Sequence, residues 1–236
     1  MESKGGYRQR IYDSYVSKHF QFGNDLSGEG YENESREFEK NYLRFLPPQK
    51  NANILDIACG PGYFPWFLKK HGYTNYTGID LSVEQVQLAR NKLPGYEFVV
   101  ADAFKYLSES QSRYDLVFAS HVLEHLYKDE VLGMLDLVYN ALNPGGIFIA
   151  AVPNCGSPLF GNHSRYVDFT HETGFTPESA KQILRVAGFN VKYCGAVRKA
   201  RFLRDITMKT LDLFVGRLSK KDISVFPELY FAGERQ

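Results

Sequence analysis

Short apolar runs alternate along the chain with longer segments of helical periodicity. The apolar runs predict strands at 53–58, 76–80, 96–100, 114–119 and 146–152. The segments between them predict helices at 63–71, 83–92, 102–109 and 128–142. Strands that alternate with helices form a mostly parallel sheet covered on both faces, because each crossover between parallel strands carries a helix.

The flanks of this alternating region have their own patterns. Residues 33–46 predict a helix that stops at two prolines. After the fifth strand the sequence predicts a loop at 153–175, a helix at 177–187 and strands at 189–196 and 228–235. We expect these last two strands to pair. The chain therefore divides into an N-terminal lid or helical segment, 1–48, and a domain, 49–236, with a basic helical insert at about 197–222.

Composition narrows the class of protein. A chain of 236 residues, 44% of them hydrophobic, can bury a sizeable core. A net charge of +1 gives no reason to expect a nucleic-acid partner. The three cysteines are scattered without zinc spacing, and neither a signal segment nor a bilayer-length apolar run is present in the sequence. These features predict a cytoplasmic protein.

Acidic residues lie at the carboxyl ends of three predicted strands. Asp56 lies within ILDIACGPGYF, Asp80 ends YTGID, and Asp102 follows the third strand in VVADAF. Ligands of an open parallel sheet bind at this edge, and Gly60 and Gly62 let a ligand approach the backbone.

Two kinds of nucleotide ligand fit this arrangement. A dinucleotide also uses a glycine turn with an acid about twenty residues later, but its turn needs a third glycine where this chain has Pro65. S-adenosylmethionine, which has no phosphate, fits better. Asp80 would bind the ribose hydroxyls and Asp102 the adenine amine, with Ala103 N–H and the ring of Phe104 beside the adenine.

The segments ILDIACGPGYF, YTGIDLS, FVVADAF, YDLVFASHVLEH and ALNPGGIFIAAVPN, in this order, resemble the class I S-adenosylmethionine-dependent methyltransferases. The resemblance implies a Rossmann-like α/β fold, a mostly parallel sheet with a C-terminal antiparallel strand pair, and S-adenosylmethionine as methyl donor. It implies cofactor binding by Asp56, Ala58, Gly60, Gly62, Asp80, Leu81, Gln85, Asp102, Ala103, Phe104 and Ser120. We expect Asp56 to order the glycine loop, directly or through water to the ligand's amino group.

Two further segments, 15–19 and 152–189, are similar to methyltransferases of bacterial surface-polysaccharide gene clusters, which act on sugars of O-antigen or capsule type. This resemblance implies methyl transfer to a hydroxyl of a small-molecule or lipid-linked sugar. An amine, phenol or quinone acceptor is the alternative within the same class. A non-catalytic subunit that binds S-adenosylmethionine is the alternative from another class.

A sugar hydroxyl needs a general base, and histidine titrates near neutrality. His121 follows the fourth strand, His171 and Asp168 lie in RYVDFTHE after the fifth, and His19 lies in the expected lid. Asp168 could hold the imidazole of His171 in one tautomer or bind a sugar hydroxyl. A structural role for His171, bonding the loop backbone, is equally compatible with the sequence.

His121, Glu124 and His125 have helical i, i+3, i+4 spacing, which could place a divalent ion on one face. Some quinone-biosynthesis O-methyltransferases hold magnesium with a Glu, Glu, His trio at these positions. Here His121 replaces the first Glu, and magnesium prefers oxygen ligands. We therefore expect Glu124 and His125 to fix the local structure, without a metal.

Residues 198–221 contain eight Lys or Arg against two Asp, with an apolar stripe. The pattern predicts a basic amphipathic helix. Such a helix could lie on the anionic inner face of the membrane, or pack on its own sheet or a second subunit. The sequence leaves the oligomeric state open.

Overall fold

The computed structural model describes residues 11, 25–197, 207, 209–215, 224 and 226–236. Within them, one sheet is formed by β1 (Ile54–Ile57), β2 (Tyr76–Asp80), β3 (Glu97–Val100), β4 (Tyr114–Ser120), β5 (Leu142–Pro153), β6 (Asn190–Ala196) and β7 (Glu228–Glu234). The strand order is β3-β2-β1-β4-β5-β7-β6. The first five strands are parallel, and β7 is antiparallel to both of its neighbours. The predicted fold class is confirmed, including the C-terminal antiparallel pair.

Helices cover both faces of this sheet. They are α1 (Gly28–Tyr42), α2 (Tyr63–Lys70), α3 (Val83–Lys92), α4 (Ala103–Glu109), α5 (Lys128–Ala141), α6 (Gly161–Tyr166) and α7 (Pro177–Val186). Side chains alternate along each strand, so Ile54 enters the core beneath α1, α2 and α3, and Leu55 enters the core beneath α4, α5 and α7.

Three differences from the sequence prediction exceed two residues. Strand β5 begins at Leu142, where it pairs with Tyr114, and includes Pro144, Gly145 and Gly146, whereas the sequence predicts a strand only from residue 146, after a tight turn. Helix α6 lies inside the predicted loop at 153–175. Helix α1 begins at Gly28 rather than at residue 33, because the Ser27 side chain accepts from Gly30 N and caps it.

The described part of the N-terminal segment packs onto the sheet. Tyr31 and Tyr42 of α1 are buried, and the rings of Tyr42 and Phe118 lie 5.3 Å apart. The Tyr31 hydroxyl donates to the Pro61 carbonyl, at 2.7 Å, so α1 also contacts the glycine loop. His19 lies outside the described residues.

Only part of the basic insert falls within the described residues. Residues 209–215 are helical, and Leu213 and Phe214 are exposed there. No helix found in the described ranges is both long and apolar enough to cross a bilayer.

Candidate active site

The backbone is strained at the carboxyl ends of two neighbouring strands. Ala58 follows β1 and His121 follows β4, with φ values of 57° and 56°. Left-handed backbone costs a residue with a side chain about 1–2 kcal/mol. In the described ranges, no other non-glycine residue has a positive φ. Such strain is retained where the surrounding structure enforces a functional shape.

The glycine loop between β1 and α2 is held against the end of β2. Gly60 N donates to Asp80 Oδ2 at 3.0 Å, and Ser82 N donates to Asp80 Oδ1 at 2.8 Å. Gly62 has φ 95°, and a Cβ there would lie 3.1 Å from Leu93 Cδ1. A Cβ on Gly60 would meet no atom of the described residues within 4 Å. Among those residues, the loop thus packs tightly at Gly62 and leaves room at Gly60.

The Asp56 side chain bonds to a tyrosine of the neighbouring strand. The side chain is buried and accepts a hydrogen bond from the Tyr76 hydroxyl at 2.9 Å. Burial raises its pKa well above the usual range for a carboxyl group. The carboxylate that binds the loop backbone is that of Asp80, whose pKa burial also raises. Asp80 is therefore the carboxylate that bonds directly to the loop backbone, and the expected contact of Asp56 through water to the ligand's amino group stays a prediction.

The remaining cofactor positions surround this loop. Asp102 caps α4, with Oδ1 accepting from Lys105 N at 2.9 Å, so its other oxygen can accept from an adenine amine. Gln85 is buried, and its amide atoms have no hydrogen-bond partner in the described part of the chain. Gln85 lies one helical turn before Ala89, so the two share one face of α3, and Ala89 is a neighbour of Gly62 in the glycine loop.

These residues fit S-adenosylmethionine. Asp80 and Asp102 offer acceptors at the ends of β2 and β3, and the buried amide of Gln85 needs a polar partner. The exposed side chain of Leu81 offers an apolar wall. The other expected positions lie at the same edge: Ser120 ends β4, Ala103 begins α4, and Phe104 follows it.

An exposed imidazole and a buried carboxylate form a pair beyond β4. His121 Nδ1 lies 3.0 Å from Glu124 Oε1, with the side chains 48% and 2% exposed. Burial alone would raise the pKa of Glu124. The hydrogen bond with His121 and the nearby His125 outweigh burial, and its pKa is lowered. Because an ionised Glu124 can only accept, we assign the proton to His121 Nδ1 and the lone pair to Nε2.

The predicted helix after β4 is a 3-10 turn, Leu123–His125. The left-handed backbone at His121 separates this turn from the strand, so the expected helical face is not formed. The loop after β5 is tied to the turn instead. The Glu124 carbonyl accepts from Glu172 N at 2.7 Å and from Thr173 N at 3.0 Å. This brings His171 beside His125, with ring centroids 4.9 Å apart.

Both of these rings are oriented through Nδ1. His171 Nδ1 lies 3.0 Å from the Ser164 carbonyl, and His125 Nδ1 lies 2.8 Å from Thr170 Oγ1. The Thr170 hydroxyl donates to Asp168 Oδ1 at 2.7 Å. The group that orients His171 at Nδ1 is thus the Ser164 carbonyl rather than the carboxylate of Asp168. Asp168 acts one step further away, on the hydroxyl that bonds to His125.

Sequence reasoning missed Ser164, Thr170 and Arg165. The Arg165 guanidinium donates to the carbonyls of His171 and Glu172, which fixes the loop. The segment RYVDFTHE signals a polar loop, but no local pattern pairs its threonine with a histidine 45 residues earlier.

Comparison with known proteins shows the family of the chain. A family model described as a methyltransferase domain matches residues 31–193, more than half of the chain. A trans-aconitate 2-methyltransferase of Rhizobium leguminosarum is 30% identical over 130 residues, which cover 54% of this chain and 49% of that protein. The chain spans about half the length of the relatives of this kind that it matches.

Solved structures share the fold. An S-adenosylmethionine-dependent methyltransferase from Archaeoglobus fulgidus has a TM-score of 0.68 at 20% identity, covering 96% of this chain and 99% of the other. The magnesium protoporphyrin IX methyltransferase of Synechocystis, solved with bound S-adenosylmethionine, has a TM-score of 0.60 at 14% identity, with both chains covered completely.

Proposed function

The chain belongs to the methyltransferase-domain family, and from that premise we propose that it transfers a methyl group from S-adenosylmethionine to a hydroxyl group, with a sugar as the acceptor class. The observation that carries the proposal is the His121–Glu124 pair at the end of β4. Within the hydroxyl class, the choice of a sugar rests on the sequence alone, through the resemblance of 152–189 to surface-polysaccharide methyltransferases.

The pair has the arrangement of a general base and its orienting group. Glu124 is buried and holds His121 through Nδ1, and the exposed ring then presents Nε2 as proton acceptor. A hydroxyl keeps its proton at neutral pH and gains from such a base, whereas a carboxylate is already ionised. The pair therefore favours a hydroxyl acceptor.

The arginine of the adjoining loop supports the same choice. A carboxylate acceptor is best held by a guanidinium in a two-pronged contact. Both terminal nitrogens of Arg165 donate to backbone carbonyls of the loop. The edge of the guanidinium that would hold a carboxylate acceptor is therefore already bound to the loop.

The reaction follows from these positions. The cofactor, when bound, supplies an electrophilic methyl group on a sulfonium centre. Asp80, the glycine loop and Asp102 hold the nucleoside at the ends of β1, β2 and β3. As the carbon–oxygen bond to the acceptor forms and the carbon–sulfur bond breaks, His121 Nε2 takes the hydroxyl proton. Glu124 stabilises the resulting imidazolium.

A carboxylate acceptor is the second candidate. The observation that favours it is the name of the Rhizobium relative, whose acceptor, trans-aconitate, carries carboxylates. The two candidates differ in product, because an ester is cleaved by mild alkali and a methyl ether is not.

The test transfers labelled methyl from S-adenosylmethionine to a panel of nucleotide-sugars, lipid-linked glycans, phenols, amines and trans-aconitate. We expect label on a sugar, stable to mild alkali. Asp80→Asn, which weakens cofactor binding, is the negative control, and His163→Gln, an exposed histidine of α6, is the matched neutral control. Label released as methanol by alkali would assign a carboxylate and overturn the hydroxyl proposal.

A further inference from the structure

A carboxylate and two imidazoles converge beneath the loop after β5. One side-chain donor atom from each of Glu124, His125 and His171 lies within 4.8 Å of the other two. Two ligands of one zinc ion, each at about 2.0–2.2 Å, lie about 3.4 Å apart in a tetrahedral site. Side-chain adjustments of less than about 1 Å would therefore bring the three onto one ion.

The tautomers of both histidines suit a metal. The Ser164 carbonyl can only accept, so His171 Nδ1 carries the proton. The Thr170 hydroxyl donates its one proton to Asp168, so in its contact with His125 the hydroxyl oxygen accepts from Nδ1–H. With the proton on Nδ1, the lone pair of each ring is on Nε2. Metal-binding histidines are oriented in this way, by a carbonyl or a carboxylate-linked group at the other nitrogen.

The carboxylate supplies an independent observation. Glu124 is 2% exposed, and while Oε1 bonds to His121, Oε2 has no hydrogen-bond partner among the residues that the structure describes. An unpartnered buried carboxylate oxygen is costly, and a cation bound to it removes the cost.

We propose that Glu124, His125 and His171 form a binding site for one divalent first-row transition ion of the zinc type. Imidazole nitrogen favours such ions, whereas magnesium and calcium prefer oxygen ligands. Three protein ligands leave one position for water or an acceptor oxygen. From the sequence, only His121, Glu124 and His125 were candidate ligands, and we expected Glu124 and His125 to fix the local structure without a metal. His171, from a distant loop, completes the ligand set.

The site lies beside the proposed base, because Glu124 is common to both. An acceptor hydroxyl bound to the ion would lose its proton more readily. This last step rests on the proposed function, but ion binding itself does not.

The test measures the ion directly. Untagged protein is treated with chelator, dialysed, and titrated with Zn²⁺ by calorimetry, with elemental analysis for stoichiometry and Co²⁺ absorption for coordination. We expect one Zn²⁺ per chain. His171→Ala should weaken binding by at least about 100-fold, and Thr170→Val, which removes only the group orienting His125, by about 10–100-fold.

The matched control is His163→Gln, which should bind Zn²⁺ as wild type does. Thermal unfolding and S-adenosylhomocysteine affinity report the fold of each variant. The site is overturned if wild type takes up no Zn²⁺, or if wild type binds Zn²⁺ no more tightly than His171→Ala does. If His171→Ala does not fold, Thr170→Val decides instead, and a Zn²⁺ affinity equal to that of wild type would overturn the site. None of these readouts uses an acceptor, so a wrong acceptor class leaves them unaffected.

Discussion

His121 Nδ1 and Glu124 Oε1 lie 3.0 Å apart, joining a half-exposed ring to a carboxylate buried beneath it. The left-handed backbone of His121, with φ 56°, turns the chain so that residues three apart meet without a helix between them. The strain at His121 is thus part of what positions the ring at the end of β4.

Replacing His121 by Asn should reduce turnover by about 10²–10⁴, the usual contribution of a general base. Asn tolerates left-handed backbone, so the variant keeps the local conformation. Affinity for S-adenosylhomocysteine should be unchanged, because the ring is not needed to hold the nucleoside. Steady-state methyl transfer and calorimetry check both values, with His163→Asn as control. Full turnover in His121→Asn would exclude His121 as the base.

Replacing Asp80 by Asn should weaken S-adenosylhomocysteine binding. The variant loses charge-assisted hydrogen bonds to the ribose and weakens the bond from Gly60 N, about 1.5–3 kcal/mol in total. This corresponds to a Kd increase of about 10- to 150-fold. Calorimetry measures it, with Asp136→Asn, exposed on α5, as the control. Equal affinity in the two variants would remove Asp80 from the cofactor site.

Asp56→Asn should change the pH dependence of stability. Burial raises the pKa of Asp56 in the folded state above its unfolded value of about 3.9. The folded state therefore holds this proton more tightly, and ionising the group destabilises the fold as pH rises from about 4 towards the raised pKa. Asn keeps an acceptor for Tyr76 and avoids that loss.

Urea unfolding of wild type and Asp56→Asn across this pH range checks the prediction. The free energy of unfolding of the variant, relative to wild type, should increase with pH. Asp136→Asn controls for removal of a surface carboxylate. A difference that stays constant or falls with pH would contradict the buried, raised-pKa assignment.

The basic segment 198–221 should bind anionic membranes. Each Lys or Arg near such a surface contributes about 1 kcal/mol, and the exposed Leu213 and Phe214 add apolar burial. Wild type should co-sediment with anionic liposomes at low salt and dissociate as salt rises. Changing Arg201, Arg204, Lys209 and Arg217 to Gln should abolish this while cofactor affinity is kept.

A matched variant tests whether position, rather than charge alone, matters. It replaces four exposed lysines that lie outside the basic segment, Lys40, Lys69, Lys105 and Lys128, again by Gln. It should retain liposome binding. If wild type does not bind anionic liposomes at low salt, the segment has a packing role. A soluble acceptor is then expected rather than a lipid-linked one.

Local patterns were enough to predict the parallel strands and the acids at their ends. Asp80 is the last residue of β2 and Asp102 follows β3, because the apolar runs end there, and the sheet brings those ends to one edge. The start of β5 was not predictable, since proline and glycine ordinarily break a strand, and pairing of Leu142 with Tyr114 overrides that preference.

The histidine cluster depends on contacts that no periodicity reports. His171 reaches His125 only because the Glu124 carbonyl binds two amides of a loop almost fifty residues later. For the same reason, Asp168 could be chosen from the sequence as a candidate site residue, whereas its hydrogen-bond partner Thr170 could not. The role of Thr170 emerges only in three dimensions.

The place of β7 between β5 and β6 has a consequence for how the chain folds as it is made. Strand β6 ends at Ala196 and β7 begins at Glu228, so 31 residues separate them (197–227). Because the ribosome adds about 5–20 residues per second, the edge of β5 stays unpaired for seconds before β7 is made. During that time β6 also lacks its neighbour in the sheet, which is β7. An open edge of this kind invites pairing with another chain. The nascent protein is therefore most prone to aggregate in the interval before β7 emerges.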